Sequence, residues 1–303
     1  MSSMKTIIYL FFLYLIGACT GLSAQTNYFV SSKGSDKNNG SFKSPFRTIE
    51  KAQQKAREVN GEAIIILRGG EYRLTKPLLF TSQDGNENKR LTLRSYSNER
   101  VVISGGILLN PEWKPYRDGI MQATINVDFP VDMLLADGEI RHQARFPNFD
   151  STAVRFYGVS ADATSSSRVK NWKNPVGGYL HAMHWSDWGD FHYRITGKDD
   201  EGNLSMEGGW QNNRQSGLSR NNRMVENIFE ELDAPGEWYY ESQESVLYYF
   251  PMPDEDINSV KFEVASLKHL VELRGCMENP VRNISIEGIE FTQTARSEEH
   301  TSE

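Results

Sequence analysis

Short apolar runs separated by turn residues dominate the first third of the chain. Ala63–Leu67, Leu78–Phe80, Leu91–Leu93 and Val101–Ile103 are rich in Ile, Leu and Val, with Gly-, Asn- and Ser-bearing turns between them, so they read as strands. Their centres lie roughly ten to fourteen residues apart with no helix between them. Parallel strands normally need a long crossover, but the coils of a solenoid stack them without one. Ahead of these runs, Tyr28-Phe29-Val30 reads as a short strand and Gly34 to Gly40 as a turn-rich loop. Pro45 and Thr48 are helix-start signals, and Phe46, Ile49, Ala52, Ala56 and Val59 recur at three- and four-residue spacing. One amphipathic helix is expected there, closed by Gly61, and its place is that of a cap over an otherwise open first coil.

Between about Ile107 and Phe250 this pattern is lost. Longer strand-like pieces take over, with Asp137-Gly138 as a hairpin signal and Pro235-Gly236 as another turn, which predicts an inserted antiparallel β domain. Coil-like strands resume at Lys261–Val264, His269–Leu273, Ile284-Ser285-Ile286 and Ile289-Glu290-Phe291. The expected division is an N-terminal cap with first coils over 25–106, an inserted β-rich domain over 107–250, and resumed coils over 251–295.

The two ends have their own character. Residues 1–24 carry Lys5, an apolar run from Ile7 to Ile16 and small residues up to Ala24, the pattern of a signal peptide and too short to span a bilayer. Export to the periplasm or the outside is expected. Cleavage after Ala24 competes with lipidation at Cys19, which would make a surface lipoprotein. Residues 296–303 do not continue the strand pattern; they read either as a non-native tail resembling a translated sequencing adapter or as a natural polar tail. The coil pattern stopping near Thr294 suggests a chain truncated at its C-terminus.

Charge and cysteine content narrow the partners. A formal net charge of −7, without basic stripes, argues against nucleic acid. With Cys19 set aside, Cys276 is the only cysteine, so neither an intrachain disulfide nor a thiolate zinc site is expected. Asp36, Asn38 and Gly40 faintly resemble a calcium loop, but Arg47 stands where its far acidic ligand belongs. No metal and no cofactor is expected.

Several blocks carry a family resemblance. Tyr28 to Ala56, with Gly34-Ser35-Asp36 and Pro45-Phe46-Arg47-Thr48-Ile49, followed by Gly70-Glu71-Tyr72, resembles the N-terminal cap of bacterial pectate-lyase-like proteins. Ala144-Arg145-Phe146-Pro147-Asn148, Leu232 to Tyr239, and Val281-Arg282-Asn283-Ile284 leading to Gly288 to Phe291 resemble the large enzymes grouped around glycoside hydrolase family 141. The resemblance implies a mainly β fold, a right-handed parallel β-helix with an N-terminal capping helix and an inserted antiparallel β domain. It also implies fucosidase- or xylanase-type hydrolysis of polysaccharide or oligosaccharide by two carboxylates. The catalytic acids it implies lie on later coils, beyond the last matching residue, so none is assigned here. A polysaccharide lyase on the same fold and a non-catalytic glycan-binding surface protein stand as alternatives.

Within the chain, the densest constellation is His184 to His192. It sets Trp185, Asp187, Trp188, Asp190 and His192 close together, with Gly189 allowing a bend. Trp faces suit sugar stacking and the carboxylates suit hydroxyls, which makes these five the candidate substrate-binding residues; Trp rings packed in a strand-pair core are the competing reading. A metal held by His184, Asp187 and His192 meets no recognised ligand spacing. Asp233 and Glu237 flank the Pro235-Gly236 turn as a conceivable glycosidase pair or as solvated turn residues. Arg141, His142 and Arg145 suit an acidic sugar or exposed strand positions.

Overall fold

The computed structural model describes residues 25–211, 214–215 and 217–295. The signal-like segment 1–24 with Cys19 and the tail 296–303 lie outside the described residues. The fold is mainly β and divides into two compact units: residues up to Ser104 together with His269–Thr292, and Gly105–Lys268 together with the residues from Gln293.

In the first unit the chain visits three parallel sheets in turn. Glu62–Leu67, Gly70–Arg73 and Leu78–Thr81 are followed by Arg90–Ser95 and Val101–Ser104, then, after the second unit, by Val271–Arg274, Ile284–Glu287 and Glu290–Thr292. Each strand pairs in parallel with its counterpart one repeat later, and Thr26–Val30 pairs with Glu62–Leu67 ahead of the first repeat. The register stacks like on like: Tyr28, Ile65, Leu93 and Ile286 form one ladder, and Tyr72, Ile103 and Phe291 another. Ile65, Leu67, Leu78, Phe80, Leu91, Leu93 and Ile103 are among the largest fully buried side chains, which explains why these strands read as near-continuous apolar runs.

The expected helix spans Ile49–Arg57 and buries Ile49, Ala52, Gln53 and Ala56. Thr48 caps it by accepting from the Lys51 N–H. Asp36, suggested as a calcium ligand, is engaged here instead: its carboxylate accepts from Arg47 N, Thr48 N and Thr48 Oγ1, each at 2.9 Å. At the other end, Arg57 and Gln53 both reach the buried Asp84 carboxylate, at 2.8 and 3.0 Å, which ties the helix to the turn after Leu78–Thr81.

The second unit contains two main sheets. One runs Gly106–Leu108, Phe262–Ala265, Leu134–Ala136, Glu139–Gln143, Glu237–Glu241, Val246–Tyr249, Ile120–Thr124 and Lys114–Arg117 in spatial order. It is antiparallel except where Glu139–Gln143 meets Glu237–Glu241. The strand read as a resumed coil at Lys261–Val264 belongs to this antiparallel sheet, where Val264 stands opposite Leu134 and Ile107. Parallel stacking resumes only at Val271–Arg274. Asp137-Gly138 forms the expected two-residue hairpin turn, with φ of 53° and 82°. Trp238, Tyr249, Phe262 and Leu134 pack in the core of this sheet.

The other sheet is antiparallel, in the order Arg145–Phe146, Leu218–Glu226, Tyr179–His184, Asp190–Lys198 and Leu204–Gly208. Leu180, Ala182, Tyr193, Ile195 and Val225 cover one face of it with Val169 from the short helix Ser166–Asn171 and Trp172 just after that helix. The Trp172 indole and Arg168 both donate to the buried Glu231 carboxylate, at 2.6 and 2.7 Å.

Candidate functional site

The hairpin between Tyr179–His184 and Asp190–Lys198 carries all five candidate binding residues. Its turn is closed by His184 N–H to Gly189 O at 2.7 Å and Asp187 N–H to His184 O at 2.7 Å, with Asp187 in the left-handed region at φ 57°. The core reading of the tryptophans fails: Trp185 is 69% and Trp188 56% exposed. His184 lies buried between them, its ring 4.4 Å from that of Trp188 and 5.3 Å from that of Trp185. Its Nδ1 accepts from the Ser186 N–H, which spends one of its two ring nitrogens within the turn.

Asp187 points its carboxylate at Asn222 Nδ2, 2.8 Å away, and at Arg155 Nη1, 3.2 Å away. The Asn222 hydrogen bond, reinforced by Arg155, holds the carboxyl below the usual aspartate range. Asp190 and His192 are exposed and 3.6 Å apart. The His192 ring meets that of His181 at 4.3 Å, and His181 Nε2 bonds the buried Glu226 carboxylate at 2.8 Å. The hairpin tip thus offers two open aromatic rings, with Asp190 and His192 on the strand face they share with His181. Among the described residues no group of three or more His, Cys, Asp or Glu is arranged to hold a metal ion.

The remaining candidates divide. Arg141 donates to the Tyr249 hydroxyl at 3.1 Å and to Glu255 at 3.2 Å, so its charge is spent inside the unit. Arg145 is not an exposed strand residue: it is 4% exposed, opposite Glu226 in register, and donates to the carbonyls of Pro147 and Phe156 at 2.8 and 2.6 Å. His142 stacks on Phe149 at 4.0 Å, and burial, with Arg145 nearby, holds its imidazole below the ordinary value and therefore neutral at pH 7. Asp233 is exposed and accepts from Asn148 at 3.0 Å. Glu237 is buried, and its Oε2 accepts from the N–H groups of Asp233 and Ala234, both at 3.3 Å. Burial, with Asp233 adding repulsion, pushes its carboxyl up to about 8. Its Oε1 finds no partner among the described residues.

Sequence inspection missed Arg155, His181, Asn222 and Glu226. His181 and Glu226 are 45 positions apart and meet only through strand pairing, so no local spacing announces them.

No family model matches the chain. A stretch of 86 residues is 38% identical to the uncharacterized protein YwoF of Bacillus subtilis strain 168, covering 28% of this chain and 17% of that protein. A solved structure described as a glycoside hydrolase superposes with a TM-score of 0.70 at 21% identity, over 89% of this chain and 51% of its own. Another, described as the complex of XylC with xylose, gives a TM-score of 0.46 at 17% identity, over 89% of this chain and 36% of its own. The chain therefore spans about half the length of the first of these structures and a smaller share of the other two proteins, and the likeness at a TM-score of 0.70 is one of fold.

Proposed function

We propose that this chain is part of an exported glycoside hydrolase acting on complex polysaccharide or its oligosaccharides, by acid/base chemistry between two carboxylates. The observation that carries the carbohydrate reading is the hairpin tip, where Trp185 and Trp188 stand 69% and 56% exposed on the same hairpin as Asp187, Asp190 and His192. A soluble protein seldom leaves two large aromatic faces open together without a ligand to cover them, and sugar rings offer matching C–H faces and hydroxyls. The fold likeness to a protein described as a glycoside hydrolase supports the same reading. Fucosidase- or xylanase-type substrates are the ones the family resemblance favours.

In this reading the three parallel sheets of the first unit are the walls of a right-handed parallel β-helix, capped by Ile49–Arg57, and Gly105–Lys268 is an inserted domain that binds glycan. Residues 1–24 direct export, with a lipid anchor at Cys19 as the alternative route to the cell surface. The test is to incubate the full-length protein with a panel of polysaccharides and to follow new reducing ends. Reducing ends from saturated products, insensitive to chelators, are expected. Unsaturated uronate products, or binding without turnover, would overturn hydrolysis in favour of a lyase or of a binding protein.

A further inference from the structure

A second pair of open aromatic rings lies on the same unit. Phe149 is 39% and Tyr157 54% exposed, with ring centroids 5.0 Å apart, and Phe149 is backed by the His142 ring at 4.0 Å and a near-parallel 17°. The loop is built to hold them. Arg145, buried beneath, donates to Pro147 O on one arm and to Phe156 O on the other, and Asp150 N–H donates to Tyr157 O at 2.8 Å. Phe156 and Tyr157 are both held at positive φ, 48° and 53°, ahead of Gly158 at 133°. Two successive aromatic residues in the left-handed region cost on the order of 1 kcal/mol each, and such strain collects where a loop presents side chains to a ligand. The exposed Asn148 amide, next to Phe149 in the chain, donates to the exposed Asp233 carboxylate at 3.0 Å.

The charges around this platform select the ligand. Arg145 is buried and spent on carbonyls, Arg141 on Tyr249 and Glu255, and His142 is neutral at pH 7. Arg155, the part-exposed cation two residues before Tyr157, is paired with Asp187 at 3.2 Å, and the exposed carboxylates of Asp150 and Asp233 repel an acidic sugar and accept from hydroxyls. We propose that Phe149 and Tyr157, with Asn148 and Asp233, form a second saccharide-binding platform that takes an uncharged pyranose ring. The inference rests on the carbohydrate reading of the unit and adds to it both a second site and a substrate class.

Titration calorimetry of the chain with xylohexaose, mannohexaose, cellohexaose and hexagalacturonate tests it. At least one neutral hexaose is expected to bind more tightly than hexagalacturonate. Phe149→Ala and Tyr157→Ala are each expected to weaken that binding by about fivefold, the equivalent of about 1 kcal/mol per aromatic contact. Tyr157→Phe keeps the ring and should keep the affinity, and unchanged circular dichroism separates lost binding from lost fold. Asp233→Asn is expected to raise hexagalacturonate affinity. If both alanine variants bind like the wild type while Trp185→Ala with Trp188→Ala abolishes binding, the second platform is overturned and the carbohydrate reading stands. Preference for hexagalacturonate overturns the uncharged class. No binding of any oligosaccharide by the wild type overturns both.

Discussion

Glu237 shows how burial rewrites a residue that looks ordinary in the sequence. It is 2% exposed, and burial raises its carboxyl to about 8 from an ordinary 4.5, so the folded state keeps its proton where the unfolded chain has lost it. Its effect on stability is therefore absent below about 4.5 and becomes a growing penalty as pH rises toward about 8. Glu237→Gln, which fixes the neutral form, is expected to melt at the wild-type temperature near pH 4 and above it at pH 8, by the equivalent of a few kcal/mol. Equal melting temperatures at both pH values would contradict this. At this scale the sequence was readable where chemistry is local: Trp185, Asp187, Trp188, Asp190 and His192 sit within one turn and its flanking strands. It was not readable for Glu226 or Asn222, which reach the hairpin across a paired strand. The burial of Arg145 escaped notice because the carbonyls it serves lie in a loop with no repeating pattern.

Among the elements, the helix Ile49–Arg57 is the most completely specified by its own residues. The three- and four-residue spacing of Ile49, Ala52 and Ala56 fixes its buried face, and Thr48 its start. Asp36 adds what the spacing could not reveal, a carboxylate from the preceding loop bonded to the cap at three points. Partial burial pulls its carboxyl up, the Thr48 and Arg47 hydrogen bonds outweigh that, and the net position is below the ordinary 3.8. Its contribution is thus present above 3.8 and lost as pH falls through the lowered value. Asp36→Ala is expected to cost about 1 to 2 kcal/mol in denaturant unfolding at neutral pH, and chelator or calcium to leave the wild-type melting temperature unchanged. A calcium-dependent melting temperature would return Asp36 to the role of a metal ligand. The strands teach the complementary lesson. Apolar runs announced Glu62–Leu67 and Arg90–Ser95, but Phe262–Ala265, equally apolar, lies in the antiparallel sheet. A fully buried strand carries the same composition in either setting, and its partners are chosen by the rest of the chain.

For the molecule as a whole, the chain divides into two compact units. In-register ladders of Ile, Leu and aromatic side chains build the first unit, and the exposed pairs Trp185 with Trp188 and Phe149 with Tyr157 lie on the second. The fold likeness at a TM-score of 0.70 concerns scaffold, so the carbohydrate reading stands on Trp185 and Trp188. The most direct measurement is affinity electrophoresis of the chain through gels cast with neutral polysaccharides, comparing the wild type with the Trp185→Ala, Trp188→Ala double variant. The wild type is predicted to be retarded in at least one polysaccharide gel, and the double variant to lose most of that retardation while keeping its mobility in a plain gel. A wild type that migrates freely in every gel, or a double variant retarded as strongly as the wild type, would contradict the account.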